Sequence, residues 1–595
     1  MTNSENSQWN LSDIFTNIND FQSTKQTLLE ELKQIEQYKG KVTTSAQNLL
    51  ESYQLYEKAL QKFEKLYAYG MLTYHLDMAN QEGIRLFKEV ESLSTEFKTS
   101  VSFIAPEITY ANEEQIKEYL STTPQLKRYE RDILDTLEKK KHILSQQEEN
   151  LLANYAELFS SPENVFDVLT NAEFKLGTLI NEKGEEVELT DSNYTIYLKS
   201  KQETIRKQAF TLMYKKYAEF INTITELYLS NVKANLATAK IRNYHSSLEM
   251  AVIQDDSTVQ VYEALIHTIR NNFAVNHQFM ELKKELLHKP EFHLYDLYVN
   301  PFEEENETNT FDQAKEEVLS ALSIMGTEYT KLLQEAFEKR WIDVYPNDNK
   351  KGGAYSMGVY GIHPYILTNF VGGKRNVSTI AHELGHSIHS YYANQTQTII
   401  DANYTILVAE VASTVNELLL SHAQLQKETV PKKKATILYE LLEMIRATFF
   451  RQAMFAEFEK IVHEKIKEGN MLSAEDLNQM YYQLNQEYFG NQMVIDKEIQ
   501  YEWARIPHFY SDFYVYKYAT GISAAISIST KIIEQGEPFV KRYIEMLKQG
   551  CSRKSIDLLK MVDVDLESPE TYQLTIDFYR NKIEELKKCL TQIDQ

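Results

Sequence analysis

The stretch His382-Glu383-Leu384-Gly385-His386 has the residue types and spacing for metal chemistry. On an α-helix, residues four apart return to within about 40° of one direction, so both imidazoles project from one face. Two such nitrogens are half of a catalytic zinc site. Glu383 lies between them in sequence, about 60° around the helix from the nearer one, where its carboxylate can reach a water on the same ion. The chemistry implied is metal-assisted hydrolysis with Glu383 as the proton acceptor.

A catalytic zinc normally takes three protein ligands and keeps one position open. A third histidine in the metzincin register would need Gly at 389 and His at 392, but those positions hold His389 and Tyr392. His389 itself falls one heptad from His382, too far along the axis to share the ion. The next candidate is Glu410, in Leu407-Val-Ala-Glu410-Val-Ala-Ser-Thr-Val-Asn-Glu417. This segment reads as a second helix that could bring a carboxylate opposite the histidines. Asp401 and Glu417 stay open as competitors at this point.

A later segment gathers His508, Tyr510, Tyr514, Tyr516 and Tyr518 within eleven residues. Phenols and imidazoles can donate hydrogen bonds to an anionic tetrahedral intermediate. With 39 Tyr in the chain, the simplest role for any single one is packing.

The elements that must position these groups read as helical. Leu49, Tyr53, Tyr56, Leu60, Phe63 and Tyr67 recur at steps of three and four, and similar patterning runs from about 20 to 160. Gly (18) and Pro (11) are scarce, which favours long helices over sandwiches or propellers. A hairpin is expected around Lys183-Gly184, and the boundary between an N-terminal helical lobe (1–190) and a catalytic region (191–595) is placed beside it. The stretch 300–310 is polar, acidic and loop-like. A small strand-containing part is expected at about 340–375, with 364–371 the best strand and Tyr365 to Phe370 offering an edge to an extended peptide. Val377, Ile380, Leu384 and Ile388 bury the histidine helix, with Asn376 or Ser378 as its cap.

A net charge of -23 without a basic tract argues against nucleic-acid binding. No run approaches eighteen consecutive apolar residues, so no membrane span is expected. The N-terminal nine residues lack basic and apolar regions, so no secretory signal is expected. Two cysteines, Cys551 and Cys589, fit a reducing cytoplasm better than a disulfide framework.

Taken together, Gly353-Ala-Tyr-Ser356, His363-Pro-Tyr-Ile366, Ala381-His-Glu-Leu-Gly-His-Ser387 and Ala409-Glu-Val-Ala-Ser413 resemble the oligoendopeptidase F branch of the thimet oligopeptidase-like zinc peptidases. The likeness spans about 110–590. It implies a mainly α fold, a two-lobed helical shell around a deep substrate channel, with a small β-sheet beside the zinc helix. It implies one Zn²⁺ per chain, and Glu410 as third ligand with Glu417 behind it. It also implies cleavage of internal bonds in short unfolded peptides. His508 and Tyr516 are expected to steady the oxyanion, and Gly353, Tyr365, Tyr510 and Tyr514 to line the substrate. The oligomeric state is left open. A dipeptidyl carboxypeptidase of the same broad family would need a cation for the substrate's terminal carboxylate, with Arg375, Arg505 and Lys517 nearest the motifs. A non-catalytic helical peptide-binding protein is the other alternative.

Overall fold

Amphipathic stripes account for nearly every element, because a helix with one apolar face must bury it against another. The computed structural model describes residues 7–302 and 309–593. Most of the acidic stretch at 300–310 and of the N-terminal polar residues therefore lies outside the described residues. The architecture is mainly α, as expected, with five short strands: β1 (Thr178–Ile180), β2 (Glu186–Glu188), β3 (Ile342–Asp343), β4 (Tyr355–Met357) and β5 (Tyr365–Leu367). β1 and β2 form the hairpin read around Gly184.

The chain resolves into two compact units, each made of three stretches. The first comprises Met1–Ile143, Asn306–Gln426 and Ala525–Val564; the second comprises Leu144–Glu305, Lys427–Ala524 and Asp565–Gln595. This differs from the boundary expected near residue 190. The difference has a packing cause. The helices Ile18–Glu36, Ala46–Leu76 and Gln81–Val101 share one apolar core with Val359, Tyr365 and Leu367 of the strand-containing part. Trp9 meets Tyr365 edge to face, and burial of large rings of this kind dominates core energetics. The hairpin instead belongs with the second unit, where Gly177 sits against Leu212 of the helix Glu203–Glu219.

In the first unit β5 is central, parallel to β3 and antiparallel to β4. Ile366 and Thr368 donate their N–H groups to Trp341 and Asp343 on the β3 side. The groups of Tyr365 and Leu367 therefore turn to β4, and Ser356, opposite Ile366, turns its own N–H and C=O away from the sheet. The expected edge at Tyr365 to Phe370 is thus wrong: β5 is buried and paired on both sides, and the open edge is β4. Lys350 fastens the loop before β4, paired with Asp343 in the interior and donating to the carbonyls of Tyr345 and Thr368 at 2.6 Å.

The histidine helix, Lys374–Thr396, lies against β4, where the Ser356 and Ser387 hydroxyls meet at 2.7 Å. The expected small sheet beside this helix is present. Its N-cap is Gly373, at φ +85°, and neither Asn376 nor Ser378. Asn376 accepts from the Val371 N–H and Ser378 is used elsewhere, as described below. The next helix, Ile406–Lys427, is long and apolar enough by length and composition to cross a bilayer. Its averaged hydropathy passes that test although no unbroken apolar run does. In the structure it is a core helix: Leu407, Val411, Val415 and Leu418 are buried, while Glu410, Asn416 and Glu417 carry polar contacts.

Candidate metal centre

Gly385 decides how the two helices meet. A Cβ on it would lie 2.6 Å from both the Ala412 carbonyl oxygen and the Ser413 Cα, so the backbones touch where any side chain would wedge them apart. Asn416 locks the register, donating to the Ala381 carbonyl at 3.0 Å and accepting from the Tyr329 hydroxyl at 2.9 Å. With that register set, Glu410 and Glu417, one heptad apart, both face the histidines.

The His382 and His386 Nε2 atoms lie 3.2 Å apart, and a Glu410 oxygen is 3.7 Å from the His382 Nε2. Ligand atoms of the three side chains all fall within 4.8 Å of one another. A tetrahedral zinc with N bonds near 2 Å spaces two ligand nitrogens by about 3.3 Å, so the donor set fits that ion. Glu417 accepts at 2.7 Å from the His382 Nδ1 and at 2.7 Å from the Ser378 hydroxyl. Holding the Nδ1 proton there leaves the Nε2 lone pair turned to the ligand cluster. His386 has a backbone hydrogen bond with Ala409. Asp401 is not among these ligand groups; it sits buried in the connecting loop, on Thr398.

The electrostatics suit a cation-binding cluster. Burial and the neighbouring His382 hold the His386 imidazole down at about 3, so it is neutral and able to ligate. For His382, burial alone would depress the imidazole, but the hydrogen bond and charge of Glu417 lift it above its ordinary value. Glu383 is 6% exposed. Burial, partly opposed by His382 and reinforced by the negative charges of Glu410 and Glu417, pushes its carboxyl up to about 7. His389 is not part of this group. It is buried with its ring stacked on Tyr404 at 3.6 Å between centroids.

Gly385 and the Asn416–Tyr329 pair were not singled out from sequence, although a Gly inside a strongly helical run is itself a signal of close approach. Gly385→Ala is expected to cost about 1–3 kcal/mol, since the clash is with backbone that cannot swing aside. Thermal denaturation should show the loss, and metal affinity should fall with it because the glutamate helix is displaced.

Tyr365 and Gly353 lie in the same unit. Tyr365 is fully buried, its hydroxyl donating to the Asn10 carbonyl at 3.0 Å, so the substrate contact expected for it is withdrawn. Gly353 is exposed at φ +83°, just before the open edge of β4.

The remaining expected residues lie in the second unit. Tyr516, the expected oxyanion donor, is fully buried and its hydroxyl is spent on Asp255 at 3.1 Å. Burial raises its phenol far above the ordinary range. Tyr516 is therefore corrected to a structural residue at the start of the helix Tyr516–Gln535. Tyr510 is also buried, stacked on Phe166. His508, Tyr514 and Tyr518 instead form an accessible triangle of rings, with centroids 5.7–6.1 Å apart. Of the cations considered for a terminal carboxylate, Lys517 is paired with Asp255 at 2.8 Å and Arg505 with Asp191 at 2.8 Å. Arg375 is exposed in the first turn of the histidine helix.

Comparison with known proteins adds the family. The signature of Peptidase family M3 matches residues 196–578, and that of Oligopeptidase F matches residues 107–175. Oligopeptidase PepF of Bacillus subtilis (strain 168) is 38% identical over 587 residues, covering 99% of this chain and 88% of its own length. The oligoendopeptidase F homolog of Borreliella burgdorferi is 36% identical over 586 residues, covering 98% of each chain. Among solved structures, oligoendopeptidase-F from Enterococcus faecium superposes with a TM-score of 0.74 at 30% identity, over 96% of this chain and 99% of that one. Family signature, full-length relatives and solved structure agree, and the chain belongs to peptidase family M3, as an oligopeptidase of the oligoendopeptidase F type that hydrolyses peptide bonds.

Proposed function

We propose that His382, His386 and Glu410 hold one catalytic zinc ion and that Glu383 moves the proton in hydrolysis of internal bonds of short, unfolded peptides. The observation that carries the reading is the meeting of three ligand atoms within 4.8 Å, with Glu417 fastening His382 from behind. Zinc held there would act as a Lewis acid, bringing the pKa of a water towards neutrality and polarising the scissile carbonyl. The Glu383 carboxylate accepts a proton from the attacking water and returns it to the leaving nitrogen. A carboxyl held near 7 is suited to both transfers, because neither direction is steeply uphill at neutral pH. Glu417 keeps His382 in one tautomer throughout, so ligand geometry does not drift as the proton moves.

An extended peptide is bound by main-chain pairing to the open edge of β4, where Ser356 offers one N–H and one C=O. Such pairing gives affinity with little sequence preference. His508 and Tyr514 enter the proposal as oxyanion donors from the sequence resemblance, with Tyr514, which is partly exposed, replacing the fully buried Tyr516. We place the enzyme in the cytoplasm as a soluble protein; neither cysteine forms a disulfide.

The test is product mapping on a quenched peptide acetylated at one end and amidated at the other. Cleavage of an internal bond in the blocked peptide is expected. Cleavage that appears only when a terminal carboxylate is free would overturn the endopeptidase reading in favour of a dipeptidyl carboxypeptidase.

A further inference from the structure

We propose that Glu459, His463 and Asp512 form a second metal site, buried in the second unit, that takes a divalent transition-metal ion and anchors the segment carrying His508, Tyr514 and Tyr518. Glu459 and His463 stand four residues apart on the helix Arg451–Lys467, which puts them on one face as in the His382–His386 pair. Asp512 arrives from the turn between Pro507–Tyr510 and the helix Tyr516–Gln535. Ligand atoms of all three lie within 4.8 Å of one another, and the His463 Nε2 is 3.9 Å from Asp512.

Each side chain is held in place by a neighbouring group. The Phe513 N–H donates to Glu459 Oε1 at 2.6 Å, Ser247 Oγ meets His463 Nδ1 at 2.8 Å, and Asn231 donates to Asp512 Oδ1 at 3.0 Å. Glu459 Oε2, His463 Nε2 and Asp512 Oδ2 are buried and have no hydrogen-bond partner among the described residues, and the Asp512 oxygen nearest the His463 Nε2 is Oδ1. Three converging acceptors in a dry interior repel one another unless a cation or shared protons lie between them.

Several other interior carboxylates are each paired with a cation. Asp296 is paired with Arg206, Asp343 with Lys350, Glu443 with Lys283 and Arg446, and Glu502 with Arg451. No Lys or Arg pairs with Glu459 or Asp512 among the described residues. Two carboxylates and one neutral imidazole balance a divalent ion in charge, and the mix of one nitrogen and two oxygens suits zinc or manganese. Burial also pushes both carboxyls well above their ordinary range and holds the His463 imidazole at about 3, so the charged groups are costly here without an ion. The site has a positioning consequence. Phe513, between Asp512 and Tyr514, sits at φ +54°, a left-handed conformation that a bulky residue adopts only when its surroundings impose it.

The test uses the full chain with His382 and His386 both replaced by Ala, dialysed against zinc or manganese and counted by inductively coupled plasma mass spectrometry. One equivalent should remain bound, raising the melting temperature. It should be lost, with the thermal shift, on adding the near-isosteric Asp512→Asn or Glu459→Gln. A double-Ala variant that binds neither metal, or an equivalent that survives both added changes, overturns the inference in favour of carboxyl groups sharing protons. If the double-Ala change releases no metal at all, the catalytic-site reading fails separately. Should a variant not fold, anomalous diffraction from wild-type crystals grown with zinc decides: a peak among Glu459, His463 and Asp512 supports the site, and its absence contradicts it.

Discussion

Replacing Glu383 by Gln is expected to lower kcat on an end-blocked peptide by about a thousandfold while leaving the bound metal in place. General-base catalysis by a positioned side chain contributes about 10²–10⁴-fold. Gln fills the same volume and keeps a hydrogen-bonding carbonyl, but it cannot take a proton from water. The proposed ligand atoms belong to His382, His386 and Glu410, so metal content should match wild type by elemental analysis. Stability separates this role from a structural one. Glu383 is a buried carboxylate whose proton affinity is raised by its burial and by Glu410 and Glu417, so removing its charge relieves a strain in the metal-free protein. The metal-free variant should therefore melt no lower than metal-free wild type. A large loss of stability or of metal would assign Glu383 to the scaffold.

Glu410→Gln should act in the opposite way, on the metal first. On the proposed ligand set the carboxylate would supply the third ligand and the negative charge that balances the ion, and both are lost. Changes that merely disturb the groups behind metal ligands cost 10–100-fold in affinity, so loss of a ligand itself is expected to exceed about a hundredfold. Competition with a chromophoric chelator measures this directly. At saturating zinc part of the activity should return, because Glu383 is untouched. Glu417→Gln, by contrast, keeps all three ligands and should fall in the milder range.

The metal centre was legible because it rests on helical periodicity, which is local. The four-residue step of His382 and His386 fixes their shared face whatever surrounds them. The choice of Glu410 over Glu417 was not decided by spacing, since residues one heptad apart share a face. What separates them is the Gly385 contact, which sets Glu410 against the His382 Nε2 and Glu417 against its Nδ1. Phenol choice failed for a related reason. Tyr516 opens the helix Tyr516–Gln535, and which of its neighbours faces inward depends on where that helix begins.

The two-unit organisation was hidden because the chain crosses between the units five times and not every crossing falls in a loop. One lies inside the helix Tyr516–Gln535, at Ala524 and Ala525, where no Gly or Pro marks it. The strand at 364–371 was identified by its apolar content, yet content does not show which strand of a sheet is the edge. The cluster of Glu459, His463 and Asp512 left only a Glu-x-x-x-His trace, with its third member 49 residues beyond His463.

The most direct test of the catalytic site is to strip the protein with a chelator and follow cleavage of the end-blocked peptide as zinc is returned. The rate should fall to background on stripping, recover fully with zinc in wild type, and not recover in His386→Ala. Cleavage that persists in the stripped protein, or that zinc restores in His386→Ala, would contradict the account.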